Sequence, residues 1–249
     1  YCVDDFAHFT GYDAEQVLTD EAALARRSDL VVTTSLALQQ DKAHLNANTV
    51  LVPHGVEYEH FARATREELP EPADLAGVGR PRLGFFGLLR DWVDVDLLAE
   101  IARRRGDWHV VVIGDSDSDL GRFRNIANLH FLGRRPYETL PAYCAHFDVG
   151  LIPFKLNELT RAVNPIKLRE YLAAGMPVVS SPLPEVTLYE HCIERAEGVD
   201  EWLAAIERSL AADPAERRAL SDAMAAEAWP AKLEMIDRAL YGPTDAGGA

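Results

Sequence analysis

The sequence predicts an α/β protein built on a Rossmann-like, doubly wound parallel sheet, preceded by part of a second α/β domain. Three observations carry this expectation. Short apolar runs recur between longer stretches of helical period, as strands and crossover helices do. Gly, Pro, Asp and Ser punctuate the junctions, so each run is bounded like a strand buried on both faces. Finally, 249 residues with 48% hydrophobic content can bury one large core or two modest ones.

The elements follow in order. Cys2, Val3, Asp4 and Asp5 read as a strand end opening into a loop. Residues 13–27 are amphipathic, 29–34 apolar, 35–45 a helix opened by Ser35 as N-cap, and 50–53 apolar again. Pro53-His54-Gly55-Val56 is a turn, and residues 1–60 are read as the remnant of one domain. Pro70, Pro72, Gly77 and Gly79 make 61–80 a linker. Within 81–228, strands at 82–86, 109–113, 129–132, 149–153 and 178–180 alternate with helices at 93–105, 136–146 and 165–174. Such alternation implies right-handed crossovers and a parallel sheet. Helices at 200–211 and 214–228 follow. Pro230 interrupts before a last helix at 231–240, inside a crossover segment 229–241, and 242–249 is expected to be a disordered tail.

Composition narrows the function. A net charge of −15 repels nucleic acid phosphates and anionic lipid headgroups, so neither a polynucleotide nor a membrane surface is an expected partner. Cys2, Cys144 and Cys192 are odd in number and lack C-x-x-C spacing, which argues against a disulfide framework and a thiolate zinc site. A reducing, cytoplasmic setting is the natural expectation. No apolar run suits a membrane span and no leader pattern opens the chain, which starts at Tyr1 as a fragment or processed product does.

The densest information lies in residues 164–180, Asn-Pro-Ile-Lys-Leu-Arg-Glu-Tyr-Leu-Ala-Ala-Gly-Met-Pro-Val-Val-Ser. Pro165 suits the first helical position, leaving the N–H groups of Ile166 and Lys167 to face an anion, with the Lys167 ammonium beside them. Glu170 lies one turn on, about 5 Å along the axis, where a carboxylate can accept hydrogen bonds from both ribose hydroxyls. Gly175 ends the helix. On spacing alone, an exposed Lys167–Glu170 ion pair at i, i+3 explains the pattern equally well.

Resemblance separates the two. The string N-P-x-K-L-x-E-Y-L-A-A-G-x-P-V-V, preceded by Leu151-Ile152-Pro153-Phe154, resembles the donor-binding signature of GT-B glycosyltransferases of the family-4, or group 1, kind. The likeness extends from Tyr1 to about Leu240 and implies the donor half of such an enzyme, with only the closing part of its acceptor domain. It implies transfer of a sugar from a nucleotide diphosphate sugar to a hydroxyl of a glycan, lipid or small molecule, with retention, no cofactor and no required metal. Pro53-His54-Gly55-Val56 resembles the P-N-G-V hinge of that family, with His54 for Asn, and Trp229-Pro230 resembles its return crossover.

In an open parallel sheet, ligands sit beyond the carboxyl ends of strands, so four loops supply candidates. In the first, Gly87 admits a ligand to the backbone and Arg90 can reach a phosphate. The family's following lysine has no counterpart between Trp92 and Val95. Asp115, Asp117 and Asp119 in the second invite a metal, but the calcium-loop glycine is replaced by Leu120 and solvated acids are the better reading. In the third, Gly133 and Arg134 correspond to the turn that contacts the base. The fourth, long and polar, offers Lys155, Asn157 and Thr160 beside Asn164. The family carries two glutamates separated by seven residues there. The second falls on Glu170 and the first on Ala162, so the donor-sugar contact is expected from Asn157, Glu158, Thr160 or backbone. Lys167 and Arg90 are the expected leaving-group stabilisers. Asp4 and Asp5 are read as loop acids more than acceptor contacts. An epimerase of the same architecture and a binding-only module remain alternatives; a nicotinamide domain is disfavoured because no G-x-G-x-x-G follows the Gly87 or Gly114 strand.

Overall fold

The computed structural model describes residues 1–242 except Asp4, Thr10 and Ser118. Among the described residues two parallel sheets form. The first holds β1 (Cys2–Val3), β2 (Val31–Thr33) and β3 (Thr49–Leu51) in that order, linked by α1 (Ala14–Arg27) and α2 (Leu36–Lys42). Caps set these helices locally: the Asp13 carboxylate accepts from the amides of Glu15 and Gln16, and the Ser35 hydroxyl from Leu38.

After α3 (Tyr58–Arg66), the second sheet is built from β4 (Arg82–Phe86), β5 (His109–Ile113), β6 (Leu129–Gly133), β7 (Val149–Ile152), β8 (Val178–Ser180) and β9 (Glu194–Arg195). Their order is β6-β5-β4-β7-β8-β9, all parallel. The winding reverses between β4 and β7, the switch point at which doubly wound sheets bind ligands. α4 (Val95–Arg104), α5 (Leu140–His146), α6 (Glu158–Ala162), α7 (Ile166–Ala173), α8 (Val199–Leu210) and α9 (Pro214–Ala223) complete this unit. Both faces of β4 and β7 are covered, which is why those strands are apolar apart from the buried Arg82 that opens β4.

Two strand glycines let helices lie close. A Cβ at Gly84 would overlap the Phe147 ring at the end of α5, and one at Gly150 would meet the Tyr171 ring of α7. α7 is nearly enclosed, with Leu168 through Ala173 all buried. It closes in a Schellman motif: Gly175, at φ +67°, donates to Leu172 O (2.8 Å) and Met176 to Tyr171 O (2.9 Å).

Several local expectations change. Residues 61–80 are no free tether, because Phe61, Ala62, Leu75 and Val78 are buried in the main core. Pro165 is extended (φ −73°, ψ 106°) and acts as N-cap, so α7 starts one residue later than expected. Pro230 lies in the first turn of α10 (Trp229–Tyr241), which therefore begins before it. Ile236 and Ala239 of α10 pack on Leu30, Val32 and Val52, returning the chain to the three-stranded sheet. The two-residue β9 and the short α6 carry no periodic signal and were not expected. Asp4 and residues 243–249 lie outside the described residues. No helix among the described residues is long and apolar enough to cross a membrane.

Candidate functional site

At the carboxyl ends of β4, β5 and β6 stand three glycines with positive φ: Gly87 (143°), Gly114 (148°) and Gly133 (71°). They are stitched together, Gly87 N–H donating to Ile113 O (2.8 Å) and Gly114 N–H to Gly133 O (3.0 Å). Because Gly87 and Gly114 lack side chains, they floor a crevice of about 310 Å³, lined also by Phe86, Leu88, Asp115, Arg134 and Leu140; Gly133 supports that floor through its carbonyl and does not line the crevice. A larger crevice of about 600 Å³ involves Pro177 and Val178 at the start of β8, the edge of the sheet where switch-point ligands do not sit.

α7 enters this floor from the side of β7. The Tyr171 hydroxyl accepts a hydrogen bond from the Phe86 amide (3.1 Å) and its ring meets the Phe86 ring edge-on at 4.9 Å, which locks the helix against β4. Lys167 is thereby laid across Gly87, so closely that a Cβ on Gly87 would overlap Lys167 Cε. Its ammonium lies 6.0 Å from the Phe85 ring centroid and forms no hydrogen bond or ion pair among the described residues. The amides of Ile166 and Lys167 likewise have no acceptor there, and both residues are only half-buried. The helix start is open, not sealed beneath apolar neighbours.

Glu170 is 7% exposed and its carboxyl also lacks a hydrogen-bond partner among the described residues. Burial pushes its pKa up to about 7, against the pull of Lys167 and with a further push from Glu57. Burial likewise lowers the Lys167 pKa, which Glu170 partly offsets. Two desolvated ionisable groups without hydrogen bonds among the described residues carry a desolvation cost, so the arrangement has the character of a ligand cradle. The exposed Glu57 and Tyr137, which stacks on His60 at 4.6 Å, face the same carboxyl: burial raises the Tyr137 pKa first, then Glu170 and Glu57 do.

The remaining candidates divide. Arg134 is exposed, lines the crevice, and its guanidinium has no acceptor among the described residues. Arg90 is instead held by Asp117 (Nε to Oδ2, 2.8 Å), so one of the acids read as solvated screens it. Lys155 donates to Asp91 O (2.8 Å) and ties the fourth loop to the first. Asn157 and Thr160 form a capping box at the start of α6, each side chain accepting from the other's amide at 2.9 Å. Their side chains close a helix end and do not open on the crevice. Glu158 is exposed and pairs with Arg161. Asn164 is buried, its Nδ2 donating to Glu185 (3.1 Å) and its Oδ1 accepting from Arg169 (2.6 Å). Pro165 and Ile166 contribute backbone. His54 packs edge-on against Trp229 at 6.3 Å. Sequence reasoning missed Gly114, Leu88, Glu57 and Tyr137; of these only Gly114, a glycine ending a strand as Gly87 does, carried a local signal.

Replacing Gly87 with alanine is expected to displace Lys167 and strain a backbone at φ +143°. Such strain costs about 1–3 kcal/mol. Calorimetric titration should show at least tenfold weaker binding of a nucleoside diphosphate; unchanged affinity would separate Lys167 from the ligand.

A family model for glycosyl transferases, group 1, matches residues 80–213. The putative teichuronic acid biosynthesis glycosyltransferase TuaH of Bacillus subtilis (strain 168) is 30% identical over 189 residues, 72% of this chain and 45% of that protein. The chain thus spans less than half the length of that relative. Among solved structures, Anabaena HepE in complex with UDP and glucose superposes with a TM-score of 0.70 at 17% identity, covering 98% of this chain and 71% of that one. Sucrose-phosphate synthase from Thermosynechococcus elongatus gives 0.66 at 23% identity, covering 90% and 60%. At these identities the structural likeness speaks for the fold, which is that of GT-B glycosyltransferases.

Proposed function

The chain belongs to the group 1 glycosyl transferases, and on that premise we propose that it grips the diphosphate of a nucleotide sugar at the start of α7 and passes the sugar to a hydroxyl acceptor, with retention and without a required metal. One observation carries this reading. The open amides of Ile166 and Lys167, and the Lys167 ammonium and Glu170 carboxyl, which form no hydrogen bond among the described residues, share one helix that abuts the glycine floor. The amides and the ammonium match paired phosphoryl groups, and the carboxylate one turn later matches ribose hydroxyls.

As the glycosidic bond breaks, negative charge grows on the leaving diphosphate. Fixed N–H dipoles and the ammonium stabilise that charge without having to reorganise. Arg134 adds a second cation from the opposite wall, and Arg90 joins it where phosphate displaces Asp117. Glu170 positions the ribose and takes no proton in the transfer. The HepE complex contains UDP and glucose, which makes uridine the first base to test. The donor-sugar contact falls to backbone groups, since Ala162 occupies the acidic position and Asn157 and Thr160 are committed to their capping box.

Calorimetric titration with UDP, GDP and inorganic pyrophosphate tests the reading. Glu170→Ala should weaken nucleoside diphosphate binding at least tenfold, the worth of hydrogen bonds to a charged group, and leave pyrophosphate binding unchanged. Loss of both, or of neither, contradicts the assignment of ribose to Glu170. Because the chain covers 45% of its curated relative, nucleotide binding without turnover is the second reading, and product analysis with UDP- and GDP-sugars separates the two.

A further inference from the structure

A buried polar chain runs behind the crevice, from one sheet to the other. The Leu36 amide, at the start of α2, donates to Glu185 Oε1 (2.8 Å), while Glu185 Oε2 accepts from Asn164 Nδ2 (3.1 Å). Asn164 Oδ1 accepts from Arg169 Nη1 (2.6 Å), Arg169 Nε donates to Glu227 (3.3 Å), and Glu227 also accepts from Lys232 of α10 (2.6 Å). Arg169 lies over the Tyr189 ring at 5.2 Å. Asn164, Arg169, Glu185 and Lys232 are all buried. Two cations, two carboxylates and one amide balance in charge, and the amide's donor and acceptor ends face opposite partners.

This chain supplies what α7 lacks locally. The N-cap of α7 is Pro165, whose side chain accepts no hydrogen bond, so no cap side chain fixes the first turn. A Ser or Asp there would occupy the very amides that stand open. Asn164, one residue before the cap, is instead held from both sides, by Arg169 of the same helix and by Glu185, which in turn caps α2.

We propose that Glu185 and Arg169 are positioning residues: through Asn164 they hold the Ile166 and Lys167 amides open toward the diphosphate, and they tie that posture to the contact between α2 and the six-stranded unit. The inference deepens the function proposed above and rests on it for the identity of the ligand. It makes phosphate affinity depend on the relative placement of the two sheets, with Glu185 as the joint.

The donor–acceptor order of the chain allows a direct test. Glu185→Gln sets an amide against the Asn164 amide, and Asn164→Asp sets a carboxylate against Glu185. The double variant restores the order with the same net charge: the introduced amide accepts from Leu36 and donates to the introduced carboxylate, which accepts from Arg169. UDP and uridine are titrated in parallel, as are GDP and guanosine, well below each variant's Tm. Each single variant is expected to weaken nucleoside diphosphate binding at least tenfold with nucleoside affinity unchanged, and the double variant to recover most of the loss. A lowered Tm with an unchanged diphosphate-to-nucleoside affinity ratio would overturn the proposal. If the unaltered protein binds no nucleoside diphosphate, the functional reading fails instead. Hydrogen exchange at the Ile166 and Lys167 amides then decides the positioning role: faster or slower exchange in the single variants, restored in the double, supports it, and identical exchange in all four proteins defeats it.

Discussion

Lys167→Met is expected to weaken UDP binding by one to two orders of magnitude while leaving the ligand-free protein as stable as before or more so. A hydrogen bond to a charged group is worth about 1.5–3 kcal/mol net, roughly 10- to 150-fold in affinity. Lys167 belongs at the upper end because the fold itself already desolvates it in part: burial lowers its pKa and no described residue accepts from it. Methionine keeps an unbranched apolar stem against Phe85, one atom shorter, and removes the ammonium with its charge and donors. Where turnover is measurable, kcat/KM should fall further, by about 10²–10³, the usual loss when one donor to a developing anion is removed. The two effects are read by titration and by thermal melts on the same samples. A melt that falls in parallel with affinity would mean that Lys167 is structural and that the leaving-group role belongs elsewhere.

The contrast between Lys167 and Arg90 shows what the sequence could tell and what it could not. Arg90 follows the Gly87 turn after a strand and Lys167 opens a Pro-started helix, and local reasoning ranks both as leaving-group stabilisers. The difference lies in Asp117, which reaches Arg90 from the loop after β5 through a contact no spacing rule anticipates. Alternating apolar runs, by contrast, placed β4 and β5 to the residue, because strands enclosed on both faces leave a continuous apolar trace. The doubly wound parallel sheet was legible for the same reason. Asn157 and Thr160 carry a local signal of another kind: a polar pair at i, i+3 that the structure shows as a capping box. Asn164 was not legible at all in this respect. Its partners stand 5 and 21 residues away, and only the packed structure shows both ends of its amide committed. Pro165 illustrates a finer limit, since proline is compatible with both the cap and the first turn, and the structure places it at the cap.

Glu170 should make both stability and nucleotide affinity depend on pH, in opposite directions. Burial raises its pKa from 4.5 to about 7. For a carboxyl raised on folding, the contribution to stability is fully present below about 4.5, where both states hold the proton. It is lost as pH rises through about 7, where the unfolded chain has long since ionised and the folded one must follow. The shift corresponds to about 3 kcal/mol. Glu170→Gln retains the neutral form at every pH, so its stability advantage over the unaltered protein should open above pH 4.5, level off beyond about 7, and appear as a higher Tm at pH 8. Nucleotide binding runs the other way. Ribose hydroxyls are donors to a carboxylate, so the ligand favours the ionised form and binding near pH 6 should expel a proton. Titrations in buffers of different ionisation heat measure that proton directly, and affinity should rise between pH 5 and 7 to a plateau. The same carboxyl is then a liability in the empty cradle and an asset in the filled one, the signature of a site held for its ligand and not for the fold. Glu170→Gln should lose affinity and proton release together while gaining stability; a variant that loses affinity but keeps the pH dependence would assign the titration to a group other than Glu170.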